Sequence, residues 1–193
     1  MHTTRPSGRF TMFNLTALMG LIGLCAFTVW AATPEQPKPG PEHNKMQAWV
    51  GEWTYEGTAE ASPLVPASKF KGKETSRMVL GGFFLEMRDE GQVDTGYSFQ
   101  DVILHGYDPV TRTYISYGFE NDGTVYSSSG TCDGTTWTSS RIRGDHKGTS
   151  YKTRSVSTLS ADGKSMTFSA EYSANDGATW LPLWKGTMKK VAK

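Results

Sequence analysis

Four Asp-Gly pairs decide most of what this chain can fold into: Asp122-Gly123, Asp133-Gly134, Asp162-Gly163 and Asp176-Gly177. Each pair can take the positive φ angles of a two-residue hairpin turn at low steric cost. Gly81-Gly82 and Asp108-Pro109 add two further breaks,. Between the breaks lie runs of β-branched and aromatic residues, many of them alternating. Such runs, joined by short turns, pair antiparallel with their sequence neighbours. The expected strands cover residues 52–61, 71–80, 83–90, 97–106, 113–120, 125–132, 135–143, 150–160, 165–173 and 179–189. One short helix is expected before them, over residues 42–50, with Met46, Trp49 and Val50 on its apolar side,. The expected fold is therefore all-β: a single antiparallel up-and-down β-barrel of about ten strands, since closure removes the sticky edges of a sheet.

Alternation also groups side chains by face. Trp53, Tyr55, Gly57 and Ala59 share one side of the first strand. Tyr97, Phe99, Asp101, Ile103, His105 and Tyr107 share one in the fourth. Met166, Phe168, Ala170 and Tyr172 do so in the ninth, and Trp180, Trp184 and Met188 in the last. The chain has six Trp, eight Tyr and nine Phe. Aromatics on successive inner faces either fill a barrel or line a pocket within it.

The first 31 residues read as an export signal. Arg5 and Arg9 precede an apolar stretch over residues 15–29, and Val29 and Ala31 supply the −3 and −1 positions for cleavage after Ala31,. An apolar run of about fifteen residues is short for a membrane span, which takes roughly 20. An uncleaved anchor and lipidation at Cys25 are the alternatives. Residues 32–41 form a Pro-rich linker, and residues 42–193 form the barrel domain. Export through this signal implies a periplasmic or secreted protein with no stable membrane insertion after cleavage. Cleavage also removes Cys25, one of two cysteines, so Cys132 has no internal disulfide partner,. Loss of Arg5 and Arg9 leaves 18 Lys and Arg against 19 Asp and Glu. That balance gives no electrostatic basis for nucleic-acid binding.

Several segments, taken in order, carry a family resemblance. Gly51-Glu52-Trp53-Thr54-Tyr55-Glu56-Gly57 opens the domain, followed by Leu80-Gly81-Gly82-Phe83-Phe84-Leu85-Glu86, Gly106-Tyr107-Asp108-Pro109-Val110-Thr111 and Cys132-Asp133-Gly134. In that order and spacing they resemble a mostly bacterial family known as domain of unknown function fifteen seventy-nine, over residues 43–189. The resemblance implies a lipocalin-like, calycin-type barrel. In that setting Trp53 would plug the closed end, covered by Lys185, Lys189 or Lys190 through a cation–π contact. It implies no activity. Small related barrels that hold haem use a histidine near the C-terminus, and the last histidine here is His146.

No phosphate loop, nucleophile elbow, HExxH or CxxC is present,. His43, His105 and His146 lack metal-ligand spacing, so neither metal nor cofactor is expected. The leading expectation is a barrel that holds a small, partly apolar molecule. Its expected lining is Tyr97, Phe99, Tyr117, Phe168, Tyr172 and Trp184, with Arg88, His105 or Arg154 as polar anchors. Arg77, Glu86, Arg88, Arg154 and Glu171 lie within expected strands; any that point inward must be paired. Two other readings stand beside this one. One is an isomerase- or hydrolase-like enzyme using His105 or an inward carboxylate, with no catalytic residue assigned. The other is a barrel that serves only protein contacts.

Overall fold

The computed structural model describes residues 35–144 and 148–192. The expected signal segment, the first residues of the linker and His146 lie outside the described residues. A short helix, α1 (Pro41–Lys45), continues into a 3-10 turn (Met46–Trp49). Ten strands follow: β1 (Gly51–Ala59), β2 (Ser68–Val79), β3 (Phe84–Val93), β4 (Ser98–Asp108), β5 (Thr113–Glu120), β6 (Val125–Cys132), β7 (Thr136–Gly144), β8 (Ser150–Leu159), β9 (Ser165–Ser173) and β10 (Leu181–Lys190). Each strand pairs antiparallel with its sequence neighbours, and β1 also pairs with β10. The sheet is a closed up-and-down barrel, as the sequence pattern predicts.

Some boundaries differ from expectation. β2 begins at Ser68 and β3 runs on to Val93, because Phe70 stands opposite Val93 and extends the hairpin. Lys69, Lys71 and Lys73 alternate with Phe70 and Gly72, the pattern of a strand with one wet face,. The expected nine-residue helix resolves into five α-helical residues and the 3-10 turn. Three residues per turn bring Met46 and Trp49 onto one side, and both are buried,. Only one Asp-Gly pair has positive φ at both residues, Asp176-Gly177. At the other three, the Asp carboxylate accepts the backbone N–H two residues on, from Thr124, Thr135 and Lys164, and the Gly alone is left-handed,.

The two ends of the barrel are built differently. The helical segment lies over the end where β1 begins. Met46, Trp49, Trp53, Leu85, Tyr114, Cys132, Trp137, Leu159, Met166 and Met188 make one continuous buried cluster there. Trp49 meets Trp137 edge to face, with ring centroids 5.8 Å apart. Trp53 donates its indole N–H to the Trp49 carbonyl at 3.3 Å. The Tyr114 hydroxyl, 2.9 Å from both the Glu42 carboxylate and its carbonyl, ties the helix down. The Lys190 ammonium lies 4.9 Å from the Trp53 ring centroid. Lys190 therefore makes the cation–π cover that the resemblance assigned to one of three lysines. At the opposite, open end, Leu64 of the β1–β2 loop joins Tyr151, Ala170, Tyr172 and Leu183 in a smaller apolar cluster.

Trp53 is 1% exposed and joins the helical plug to the strands. Trp53→Ala is expected to lower the unfolding free energy by about 3–5 kcal/mol, seen as a reduced urea midpoint. Lys190→Ala, which removes only the cation–π cover, is expected to cost about 0.5–2 kcal/mol in the same titration.

Candidate functional site

Between the packed end and the open end, the inner wall carries charge. Cross-strand register sets Glu74 opposite Asp89, Asp89 opposite Asp101, and Asp101 opposite Glu120. These four acids on β2 to β5 alternate in phase with the inward residues Ser76, Leu85 and Met87, Ile103, and Gly118. They form a ladder that climbs with the strand tilt, from beside Trp53 up to the last residue of β5,. Directly opposed like charges destabilise a sheet. Burial and mutual repulsion therefore act together on the carboxyls. Burial, and then the charges of Asp89 and Asp101, push Glu74 up to about 8 against the pull of its hydrogen bond from Ser76. Burial lifts Asp101 to about 7, with Asp89 and Glu120 raising it further and Arg141 opposing. Asp89 reaches about 6, restrained by a hydrogen bond from the Tyr55 hydroxyl. Tyr55 reaches it by lying across Gly72 and Gly91, where any side chain would collide with its hydroxyl. The Oδ1 atom of Asp101 is buried with no hydrogen-bond partner.

Across the lumen, β7 presents Arg141 and Arg143 in phase with buried Trp137. The Arg141 guanidinium lies 3.8 Å from the Tyr126 ring centroid, and that of Arg143 lies 5.4 Å from the Trp184 ring centroid. Among the described residues neither has a carboxylate within ion-pair distance. Burial, then the neighbouring Arg141 charge, lower the pKa of Arg143. Phe70, Phe99, Phe168 and Trp184 complete the wall of this half. Phe70 and Phe168 stack at a tilt with centroids 6.1 Å apart. All four, with Asp89, Asp101, Arg141 and Arg143, remain partly exposed. The open half is thus reached by solvent, while the plugged half is packed.

The nine residues expected at the site divide by strand phase. Phe99, Phe168 and Trp184 face the open half of the lumen. Tyr172 points the same way but is buried in the small cluster with Leu64 and Leu183. His105 points inward within the packed half. Its ring nitrogens lie 2.6 Å from Ser116 Oγ and 2.8 Å from Met87 Sδ, and Trp137 crosses it at 4.7 Å. Burial drops its pKa to about 4, so the ring is neutral, and the adjacent Ser116 is buried. The other four lie outside the lumen. Arg88 alternates with inward Met87 and Asp89, and pairs on the outer face with Glu86 at 2.9 Å. Arg154 alternates with Thr153 and Ser155, and pairs outside with Glu171 at 2.6 Å. Tyr117 alternates with Ser116 and Gly118 and is 54% exposed; Tyr97, in the turn before β4, is 50% exposed. A shift of one residue in phase exchanges inside for outside.

The lumen residues missing from the expected set are Phe70, Glu74, Asp89, Asp101, Glu120, Arg141 and Arg143. Strand phase was the available signal: Asp89 lies two residues past Met87, and Arg141 four past Trp137. A cavity of about 1070 Å³ is lined both by outward residues such as Lys69, Lys71, Val156, Thr167 and Lys185 and by Phe70 and Phe168 of the lumen wall. Its charges project into solvent, so the lumen is the better site. Among the described residues no group of three His, Cys, Asp or Glu side chains could hold a metal ion, and no helix is long and apolar enough to cross a membrane.

The profile of the family described as "Protein of unknown function (DUF1579)" matches residues 38–190. The chain belongs to this family. That span takes in α1, all ten strands and every charged residue of the lumen. No curated protein matches the chain. Among solved structures, Rv2717c from M. tuberculosis is similar in fold, with a TM-score of 0.56 and 12% identity over 79% of this chain and 99% of that one. The structure of EF1p2_mFAP2b bound to DFHBI matches at a TM-score of 0.42 and 11% identity, covering 78% of this chain and 99% of its own. A fluorescence-activating beta barrel designed de novo matches at a TM-score of 0.39 and 12% identity, covering 75% of this chain and 95% of its own.

The acid ladder makes stability depend on pH in an unusual direction. Glu74, Asp89 and Asp101 hold their protons to higher pH in the folded chain than when unfolded. From near pH 4 up to about 8 the native state therefore binds the extra protons, and stability falls as pH rises,. Glu74→Gln is expected to be more stable than the wild type by a margin that widens between pH 5 and pH 8, to on the order of a few kcal/mol. Urea titrations across that range measure it, and a margin that stays constant contradicts the assignment.

Proposed function

We propose that the open half of the barrel binds one small, partly apolar organic molecule that carries an anionic group. The observation behind this reading is the pair Arg141 and Arg143, directed into a solvent-reached lumen with no carboxylate within ion-pair distance among the described residues. Cations taken from water are costly unless paired. The guanidinium groups lie over the rings of Tyr126 and Trp184, and a guanidinium's planar fork of N–H donors suits a bidentate anion. Phe70, Phe99, Phe168 and Trp184 supply the surface for the apolar body.

An enzymatic reading draws on one observation, the Asp101 carboxyl raised to about 7 on the same lumen wall,. The His105–Ser116 pair lies within the packed end, away from Asp101 and the arginines, so binding is the better-supported role. Export belongs to the same proposal. Arg5, Arg9, the apolar stretch and the Val29-Trp30-Ala31 site support it,.

Two measurements test the reading. An anionic naphthalene-sulfonate dye should bind the purified protein at one per chain and be displaced by aromatic carboxylates. The double change Arg141→Ala with Arg143→Ala should weaken the dye at least about tenfold, each lost charge-assisted contact being worth roughly 1.5–3 kcal/mol, while circular dichroism stays unchanged. Binding that survives the double change, or no binding at all, overturns it. For export, N-terminal sequencing of the protein made from its full-length gene in a bacterial host should find the first residue at Ala32 in the periplasmic fraction. A cytoplasmic product beginning at Met1 overturns that part.

A further inference from the structure

We infer that the bound molecule is a zwitterion, its carboxylate held by Arg141 and Arg143 and its ammonium held by Asp101. This rests on the small-molecule reading above and narrows it to one chemical class. The lumen has two walls of opposite sign, with Arg141 acting on Asp101 and Glu120 on Arg143 through their charges alone. β2 to β5 carry Glu74, Asp89, Asp101 and Glu120, and β7 carries Arg141 and Arg143. Among the described residues no ion pair joins the two walls.

Within the acidic wall the members differ in what they have left to offer. Glu74 is nearly fully buried and accepts from Ser76; Asp89 accepts from Tyr55. Asp101 stands one step nearer the open end and keeps Oδ1 buried without any partner. A buried carboxylate oxygen left unsatisfied costs the full desolvation penalty of that atom. Asp101 is also the ladder acid that feels Arg141, across the two intervening strands β5 and β6. A bound monoanion would satisfy the arginines and leave Asp101 bare. A bound monocation would do the reverse. A molecule with both charges satisfies both walls, and electrostatics allow it one orientation, ammonium toward β4 and carboxylate toward β7. Phe99, Phe168 and Trp184 then receive its apolar part.

Calorimetric titration of the full-length mature protein at pH 8 with three matched probes tests this. Phenylalanine carries both charges, 3-phenylpropanoate lacks the ammonium, and phenethylamine lacks the carboxylate. Phenylalanine is expected to bind at least about tenfold more tightly than either of the others. Asp101→Asn is expected to weaken phenylalanine about tenfold and to strengthen 3-phenylpropanoate, since the acidic wall repels a bare anion. Asp101→Ser serves as the second variant should the first fold poorly, with the melting temperature recorded for each. Opposite shifts for the two probes mark a direct charge contact, because a merely structural change would move both the same way. Equal affinities for phenylalanine and 3-phenylpropanoate, or a parallel loss of both in the Asp101 variants, overturn the zwitterion and leave the anion-binding reading standing. Dye binding with none of the three probes binding also overturns it. Failure of the dye and of all three probes overturns both.

Discussion

Pairing of β1 with β10 is the constraint on which the rest of the molecule depends. The register runs from Trp53 opposite Lys190 to Ala59 opposite Trp184. Once that seam closes, the sheet has no edge, and every strand residue belongs either to the lumen or to the outer wall. The same seam sets Lys190 over Trp53, and Trp53 in turn receives the plug formed by Met46 and Trp49. Closure and plugging are thus one event in energetic terms. The seam brings together the buried aromatic, its cation and the helical segment that excludes water from one end.

Strand identity was legible in the sequence because it rests on local chemistry. Turn residues, alternation and β-branched runs each act over a few positions, and all ten strands follow from them. The end-cap tryptophan was legible only through the family resemblance, which assigned Trp53 to the closed end. The inward phase was legible where an aromatic marked it, as at Phe99, Phe168 and Trp184. Arg88 and Arg154 looked site-like because they are charged and lie within strands, yet their phase sends them outside to Glu86 and Glu171. Arg141 and Arg143 share the phase of Trp137, four and six residues earlier, and that regularity is visible in the sequence. What alternation cannot convey is the cross-strand register, which turns Glu74, Asp89, Asp101 and Glu120 from four scattered acids into one ladder.

That ladder opposes folding. Opposed carboxyls repel, and burial raises the cost of ionising each one. An inner wall of Ser or Val at those positions would close the same barrel with less internal opposition. The chain tolerates the arrangement because the plugged end contributes a large aromatic and methionine cluster, and because the upper lumen stays wet enough to spare most of the acids complete desolvation. Stabilising burial and destabilising charge are separated along the barrel axis. His105 marks the boundary on β4, four residues below Asp101, neutral and packed against Trp137.

Separation across the barrel is equally marked. Acids occupy four consecutive strands and the two arginines occupy one strand beyond them, with Tyr126 of β6 between. Simple mutual neutralisation would favour opposite charges on adjacent strands, where cross-strand pairs meet at close range. That arrangement exists on this protein's outer wall, at Arg77–Glu86 and Arg154–Glu171. The sheet therefore makes direct cross-strand ion pairs where they cost little, in solvent, and holds its inner charges apart where pairing would return the most energy. Inner charges held apart gain that energy only from something placed between them, and this is the physical reason to regard the open half of the lumen as a binding site rather than an incompletely filled core.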